Sequence, residues 1–242
     1  LANFQEALQI YRELAKENPS SYLPYVATTL NNLAVLQKAK NDFADALANY
    51  QEALQIRREL AKENPRSYLP DVAMTLNNLA VLHQEKNELE QAQAKYEDSL
   101  VIYRSLAQKS QIFLPSVAGT LSNLAILHCD RNELTQAQTK YEEALGIYQI
   151  LVQSNPRTFL PNMAMTLNNF ANFHHKINDK EQAHSEYERA LAIYRSLAKS
   201  DSQTFLPFVA GTLNNLANLH RDKNELAQAQ PKYEEALVIY RS

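Results

Sequence analysis

An all-α solenoid of helix pairs is the architecture this sequence predicts, and three observations predict it. The 242 residues include only three Gly against nine Pro, too few Gly for a sheet-and-turn protein whose hairpins and bulges repeatedly need positive φ. Leu-Pro occurs at Pro24, Pro70, Pro115, Pro161 and Pro207, spaced by 46, 45, 46 and 46 residues, and a fixed period of this size marks stacked supersecondary units. Each period carries two runs of helical spacing: Val72, Leu76, Leu79, Ala80 and His83, then Leu89, Ala92, Tyr96, Ser99 and Leu100. Such units bury their apolar faces only against their neighbours.

Residues 1–18 match the second helix of a unit, with Phe4, Ala7, Leu8, Ile10 and Tyr11 in register with Tyr50, Ala53, Leu54, Ile56 and Arg57. Five units follow, at 22–64, 68–109, 113–155, 159–201 and 205–242, which makes eleven helices. The Leu-Pro step is read as the start of each first helix, because a Pro in the first turn forfeits an N–H that has no intrahelical partner there. The break between paired helices recurs as Asn41-Asp42, Asn87-Glu88, Asn132-Glu133, Asn178-Asp179 and Asn224-Glu225. Either the Asn caps the second helix, with the acid facing its positive end, or it takes the left-handed conformation that ends the first. Pro231 stands inside the last helix, where it crowds the carbonyl of Ala227, and predicts a kink. Neither end shows a polar capping helix, so the chain reads as part of a longer array.

Charge and cysteine content narrow the function. Lys+Arg of 24 against Asp+Glu of 27 gives a net charge of −3, which supplies no global field for phosphates or anionic lipid. Nucleic acid is not an expected partner. No apolar run is read as approaching the roughly 20 residues that cross a bilayer, and no membrane association is expected. The single Cys129 excludes an intramolecular disulfide and fits a reducing, cytoplasmic location.

The string Leu76-x-x-Leu79-Ala80-x-x-His83, then Asn87-x-Leu89-x-x-Ala92-x-x-x-Tyr96-x-x-Ser99, resembles the tetratricopeptide signature over almost the whole chain. Two departures stand out. Gln37, His83, His128, His174 and His220 occupy a column usually held by Tyr, and the period exceeds the common 34 residues. The longer period and the Asn-Asn-Leu-Ala string look more like the kinesin light chain type, frequent in bacterial multi-repeat proteins. The resemblance implies a right-handed superhelix of antiparallel helix pairs that binds protein or peptide along its concave face, without catalysis and without a cofactor.

The polar columns that packing does not require are the binding candidates. Asn32, Asn78, Asn123, Asn169 and Asn215 each precede the packing Leu or Phe of a first helix, and one position earlier stand Asn31, Asn77, Ser122, Asn168 and Asn214. Asn is a mediocre helix former. An Asn amide matches the N–H and C=O of any peptide unit, so these columns are read as a ladder that tracks the backbone of an extended partner segment. The competing reading is that the Asn side chains bond to one another or to the neighbouring helix. Helical spacing brings the columns of Val35, Val81, Ile126, Asn172 and Asn218, and of Lys38, Gln84, Cys129, His175 and Arg221, to the same face. These would supply side-chain selectivity, on a face that turns from apolar near Val35 to polar near Asn218. Two other functions compete: a spacer or self-association array that oligomerises through exposed helical ends, and a sensor segment that regulates an effector domain outside this sequence.

Other constellations carry less. Repeat spacing sets the column histidines about 10 Å apart, too far for a shared metal, so packing or interhelical hydrogen bonding is the reading for His83, His128, His174 and His220. His174-His175 with His184 lacks an H-E-x-x-H helix. His128-Cys129-Asp130 splays around its helix and makes no triad.

Overall fold

The computed structural model describes residues 2–241, and among them eleven α-helices and one short 3-10 turn. In order they are α1 Ala2–Glu17, α2 Pro19–Ala39, α3 Phe43–Glu63, α4 Pro65–Glu85, α5 Leu89–Lys109, the 3-10 turn Gln111–Phe113, α6 Leu114–Asp130, α7 Leu134–Ser154, α8 Pro156–Lys176, α9 Lys180–Ala198, α10 Ser202–Asp222 and α11 Leu226–Arg241. Contacts divide the chain into two compact units, residues 1–127 and 128–242.

The first helices start earlier than the Leu-Pro step suggests. Asn18, Asn64 and Asn155 each accept a hydrogen bond at 3.2 Å from the backbone N–H three residues on, with Pro19, Pro65 and Pro156 at the first helical position. Asp201 caps α10 in the same way at 3.0 Å. Pro24, Pro70, Pro161 and Pro207 therefore lie inside their helices. Each costs one backbone bond close to the N-terminus, where few such bonds exist to lose. Only α6 follows the expectation, with Pro115 in its first turn after the 3-10 turn.

The recurrent Asn resolves in favour of the left-handed terminator. Asn41, Asn87, Asn132, Asn178 and Asn224 have φ between 58 and 64°. The next N–H reaches back across the turn, as from Glu88 to the His83 carbonyl at 2.8 Å and from Asp42 to that of Gln37 at 2.9 Å, which closes the first helix in a Schellman-type motif. The acid after the Asn, not the Asn, becomes the N-cap of the second helix.

In the unit 1–127, α1 to α5 pack in sequence, and Leu8, Val26, Leu30, Leu33 and Ala53 grade into a second cluster around Tyr50, Leu54, Leu76 and Leu79. Ala27, Ala34, Ala46 and Ala53 are fully buried, and their small side chains let the paired helices approach closely. In the unit 128–242, α7 to α11 pack likewise, with Tyr141 stacked on Phe170 at 5.0 Å and Tyr194 on Phe208 at 5.2 Å. Burial of each large side chain is worth about 1.5–3 kcal/mol.

Two expectations need comment. Helical geometry is unbroken through Pro231 in α11, with Ala229 and Ala236 buried on either side. And one stretch, Gln111–Asp130, is long and apolar enough to cross a membrane by length and composition, with a mean hydropathy of 1.5, so the reading that none exists is corrected. Half of it is buried in the protein, which accounts for its apolar character by packing.

Candidate functional site

Each first helix turns one accessible stripe outward, and the Asn columns lie along these stripes or at their edges. On α2, Thr28, Asn32 and Val35 are exposed, whereas Val26, Leu30, Leu33 and Ala34 on the other side are buried. On α4, Met74 is exposed and Asn78 and Val81 are half-buried, and Asn123 and Ile126 of α6 are half-buried as well. In the unit 128–242, Met165 and Asn172 of α8 are exposed, and Asn169, Asn215 and Asn218 are half-buried. Helix periodicity thus delivers these columns to an accessible surface, as their spacing requires.

The two Asn columns interlock. Asn78 Nδ2 donates to Asn31 Oδ1 at 3.2 Å, Asn123 Nδ2 to Asn77 Oδ1 at 3.4 Å, and Asn215 Nδ2 to Asn168 Oδ1 at 3.3 Å. Each bond joins the first helices of consecutive repeats, and Thr212 adds a second donor to Asn168 Oδ1 at 3.4 Å. The competing reading of the columns therefore holds for one N–H of each of these three residues. Asn31 is buried beneath its partner, and Asn214 is exposed. What a bonded Asn78 or Asn123 retains is a carbonyl and a second N–H, and the bond fixes their orientation.

The neighbouring columns are also partly engaged. Asn172 and Asn218 accept hydrogen bonds from the hydroxyls of Tyr187 and Tyr233, at 2.5 and 2.7 Å, so their carbonyls are held inside the repeat. Tyr96 donates to Gln84 at 3.2 Å. Lys38 pairs with Glu85 of the next repeat at 2.6 Å, and His175 with Asp222 at 3.0 Å. Arg221 bonds the adjacent Asp222 at 3.0 Å. Val35, Val81 and Ile126 remain as accessible apolar positions.

Histidines of the Tyr-substituted column do structural work. His83, His128 and His220 each set Nδ1 at 2.6 Å from the Oε2 of Glu88, Glu133 and Glu225, the acids that open the second helices. Those carboxyls sit below their usual range: Lys86 then His83 lower Glu88, Arg131 then His128 lower Glu133, and His220 foremost lowers Glu225. Gln37 replaces this pair with an acceptor for Asn49 at 2.6 Å. Among the described residues no cluster of three His, Cys, Asp or Glu side chains suits a metal ion. Burial pushes the Cys129 thiol up, against the pull of a hydrogen bond with Tyr141, which makes it a poor nucleophile.

Two residues escaped the sequence reading. Arg57 stands where the other second helices carry Tyr11, Tyr103, Tyr148, Tyr194 and Tyr240; it is fully buried, and its Nη1 donates to the Asp71 carbonyl at 3.2 Å and to Thr75 Oγ1 at 2.5 Å. Glu186 is buried where Lys95, Lys140 and Lys232 stand in other repeats. Both substitutions are visible once columns are compared repeat by repeat.

Models of the tetratricopeptide repeat match residues 1–59 and 116–196, and a second model of the same description matches 72–109 and 209–242. The chain belongs to the tetratricopeptide repeat family. No curated protein sequence gives a significant match. Among solved structures, BtubC (BKLC) from P. vanneervenii superposes with a TM-score of 0.80 at 24% identity, over 99% of this chain and 89% of that one. The nearly identical TPR-like repeats of a P. anserina kinesin light chain protein superpose with 0.65 at 16%, over 90% and 96%. The Rap conjugation gene regulator of plasmid pLS20, solved in complex with the Phr* peptide, gives 0.64 at 16%, over 94% of this chain and 56% of that one. At these identities the likeness is one of fold. Tetratricopeptide repeats serve generally as protein-interaction scaffolds.

Proposed function

We infer that this tetratricopeptide array is a binding module, not an enzyme, and that it holds an extended segment of a partner protein against the Asn-bearing face of its first helices. The observation that carries the reading is the interlocked Asn pair. Asn78 on Asn31 and Asn123 on Asn77 in the unit 1–127, and Asn215 on Asn168 in the unit 128–242, each present an oriented amide on an accessible stripe of a first helix. Orientation by a neighbour lowers the ordering cost that a free side chain would pay on binding. Each remaining amide contact nets about 0.5–1.5 kcal/mol, so affinity is moderate and sequence preference falls to Val35, Val81 and Ile126. The Rap regulator, solved in complex with the Phr* peptide, supports the reading that a fold of this kind binds peptide.

The test replaces Asn78 and Asn123 together by Ala and measures binding of a partner recovered from the native source by calorimetry. A loss of about tenfold or more, with helicity intact, is expected. Unchanged affinity in a folded variant overturns the ladder.

A further inference from the structure

The second helices carry a repeated feature of their own. Arg12 of α1 pairs with Glu52 of α3 at 2.6 Å, and Arg195 of α9 pairs with Glu235 of α11 at 2.6 Å. In both places a guanidinium reaches a carboxylate forty residues on, across the groove between successive second helices. The corresponding positions between α3 and α5 are Arg58 and Asp98. Asp is one methylene shorter than Glu, and the pair does not form. Among the described residues Arg58 and Asp98 have no ion-pair or hydrogen-bond partner, and the same holds for Lys95 further along the groove.

The unpaired Arg58 stands where two cavities meet. One, of about 430 Å³, runs past Arg58 to Leu79 and Lys95. The other, of about 450 Å³, runs from Arg58 over Leu69, Val72 and Leu76 to Val101 and Ile102. Val101 is 69% exposed. The matching groove beside Arg195 has the same apolar floor, Leu206 and Val209, but there the protein's own Glu235 occupies the arginine.

We propose that the α3–α5 groove is a second docking surface, which takes an extended acidic and aliphatic peptide segment of a partner protein. Its carboxylate binds Arg58 in the place that Glu52 and Glu235 fill elsewhere, and its aliphatic side chain enters the cavity over Val72, Leu76 and Val101. Charge and shape both point to this occupant. Arg58 and Lys95 put two unpaired cations on the groove against the one unpaired carboxylate of Asp98, since Glu59 is held by Lys62, and the guanidinium fork favours a planar carboxylate. This surface is rimmed by the second helices α3 and α5 over a floor from α4, and it includes none of the Asn columns.

The test uses the intact chain and a fluorescein-labelled octapeptide of alternating Leu and Glu, with an alternating Leu and Lys octapeptide as control, followed by fluorescence anisotropy. The Leu–Glu peptide binds saturably and the Leu–Lys peptide does not. Asp98→Glu, which restores the internal pair without a change in net charge, weakens binding at least about tenfold, and Arg58→Gln does the same. Both positions are solvent-facing, and thermal unfolding verifies that each variant folds. Asn78→Ala leaves this binding unchanged. Absence of saturable binding, equal binding of the Leu–Lys peptide, full binding by Asp98→Glu, or loss through Asn78→Ala alone would each overturn the proposal.

Discussion

At the scale of single residues, the fourth repeat departs from the others in one place. In the second, third and fifth repeats the column His meets the Glu that opens the following helix at 2.6 Å. Here Asp179 is shorter, spends Oδ1 on the Gln182 N–H at 3.2 Å, and leaves its Oδ2 3.6 Å from His174 Nδ1. Glu186 faces the same histidine at 3.9 Å. His174 Nδ1 and Glu186 Oε2 are buried without a hydrogen-bond partner. Burial, with Asp179 and Glu142 adding repulsion against the pull of Arg189, pushes Glu186 up to about 8. Burial also lowers His174, against the attraction of Asp179 and Glu142.

The sign follows from proton linkage. A carboxyl raised in the folded state binds more protons there than in the unfolded chain, so its contribution to stability is lost as pH rises from its unfolded value near 4.5 toward about 8. Glu186→Gln removes that loss. Its melting temperature should match the parent's near pH 4.5 and exceed it by several degrees at pH 8.5, since each kcal/mol is worth about 2–4 °C in a chain of this size. Parallel melting curves across that range would contradict the assignment. Asp179→Glu, which restores the reach seen in the other repeats, should stabilise at neutral pH by about 1 kcal/mol, read by urea unfolding.

At the scale of elements, the terminating Asn of each first helix is a backbone device. With φ near 60° in all five positions, replacement of Asn87 by Val should cost about 1–2 kcal/mol, since the left-handed region penalises a branched side chain. Gly there should be neutral or mildly stabilising. Pro231 acts in the opposite sense. It deprives α11 of a backbone bond in mid-helix, so Pro231→Ala should stabilise the protein by up to about 3 kcal/mol in thermal unfolding. Helix number, order and buried faces were legible because apolar periodicity repeats five times. The helix starts were misjudged because Leu-Pro is the most conspicuous recurrence, whereas the local signal was Asn-Pro at 18–19, 64–65 and 155–156, a cap followed by Pro. That Asn32, Asn78 and Asn123 fall on the less buried side of their helices was legible. Their interlock was not, because it depends on the stagger between consecutive first helices, and one sequence does not report that stagger.

At the scale of the whole chain, what matters is that within each unit the described helices pack mainly on those adjacent in sequence, with lighter contacts from α2 to α4 and from α8 to α10. Stability then approximates a sum of repeat and nearest-neighbour terms, and a local defect spreads only as far as those terms carry it. Leu30 of α2 is fully buried among Leu8, Val26, Leu33 and Ala53, and Leu30→Ala should cost about 2–5 kcal/mol. Hydrogen exchange by mass spectrometry offers the spatial readout. Protection should fall strongly in α1, α2 and α3, less in α4, and least in α5, whose packing partner is α4. A uniform fall from α1 to α5 would mean that residues 1–127 open as one cooperative block, and the nearest-neighbour description would then fail. The graded outcome bears on binding too, because a ligand across the Asn78 and Asn123 rungs bridges the consecutive first helices α4 and α6, already joined by the Asn123–Asn77 bond, and should raise protection in both at once.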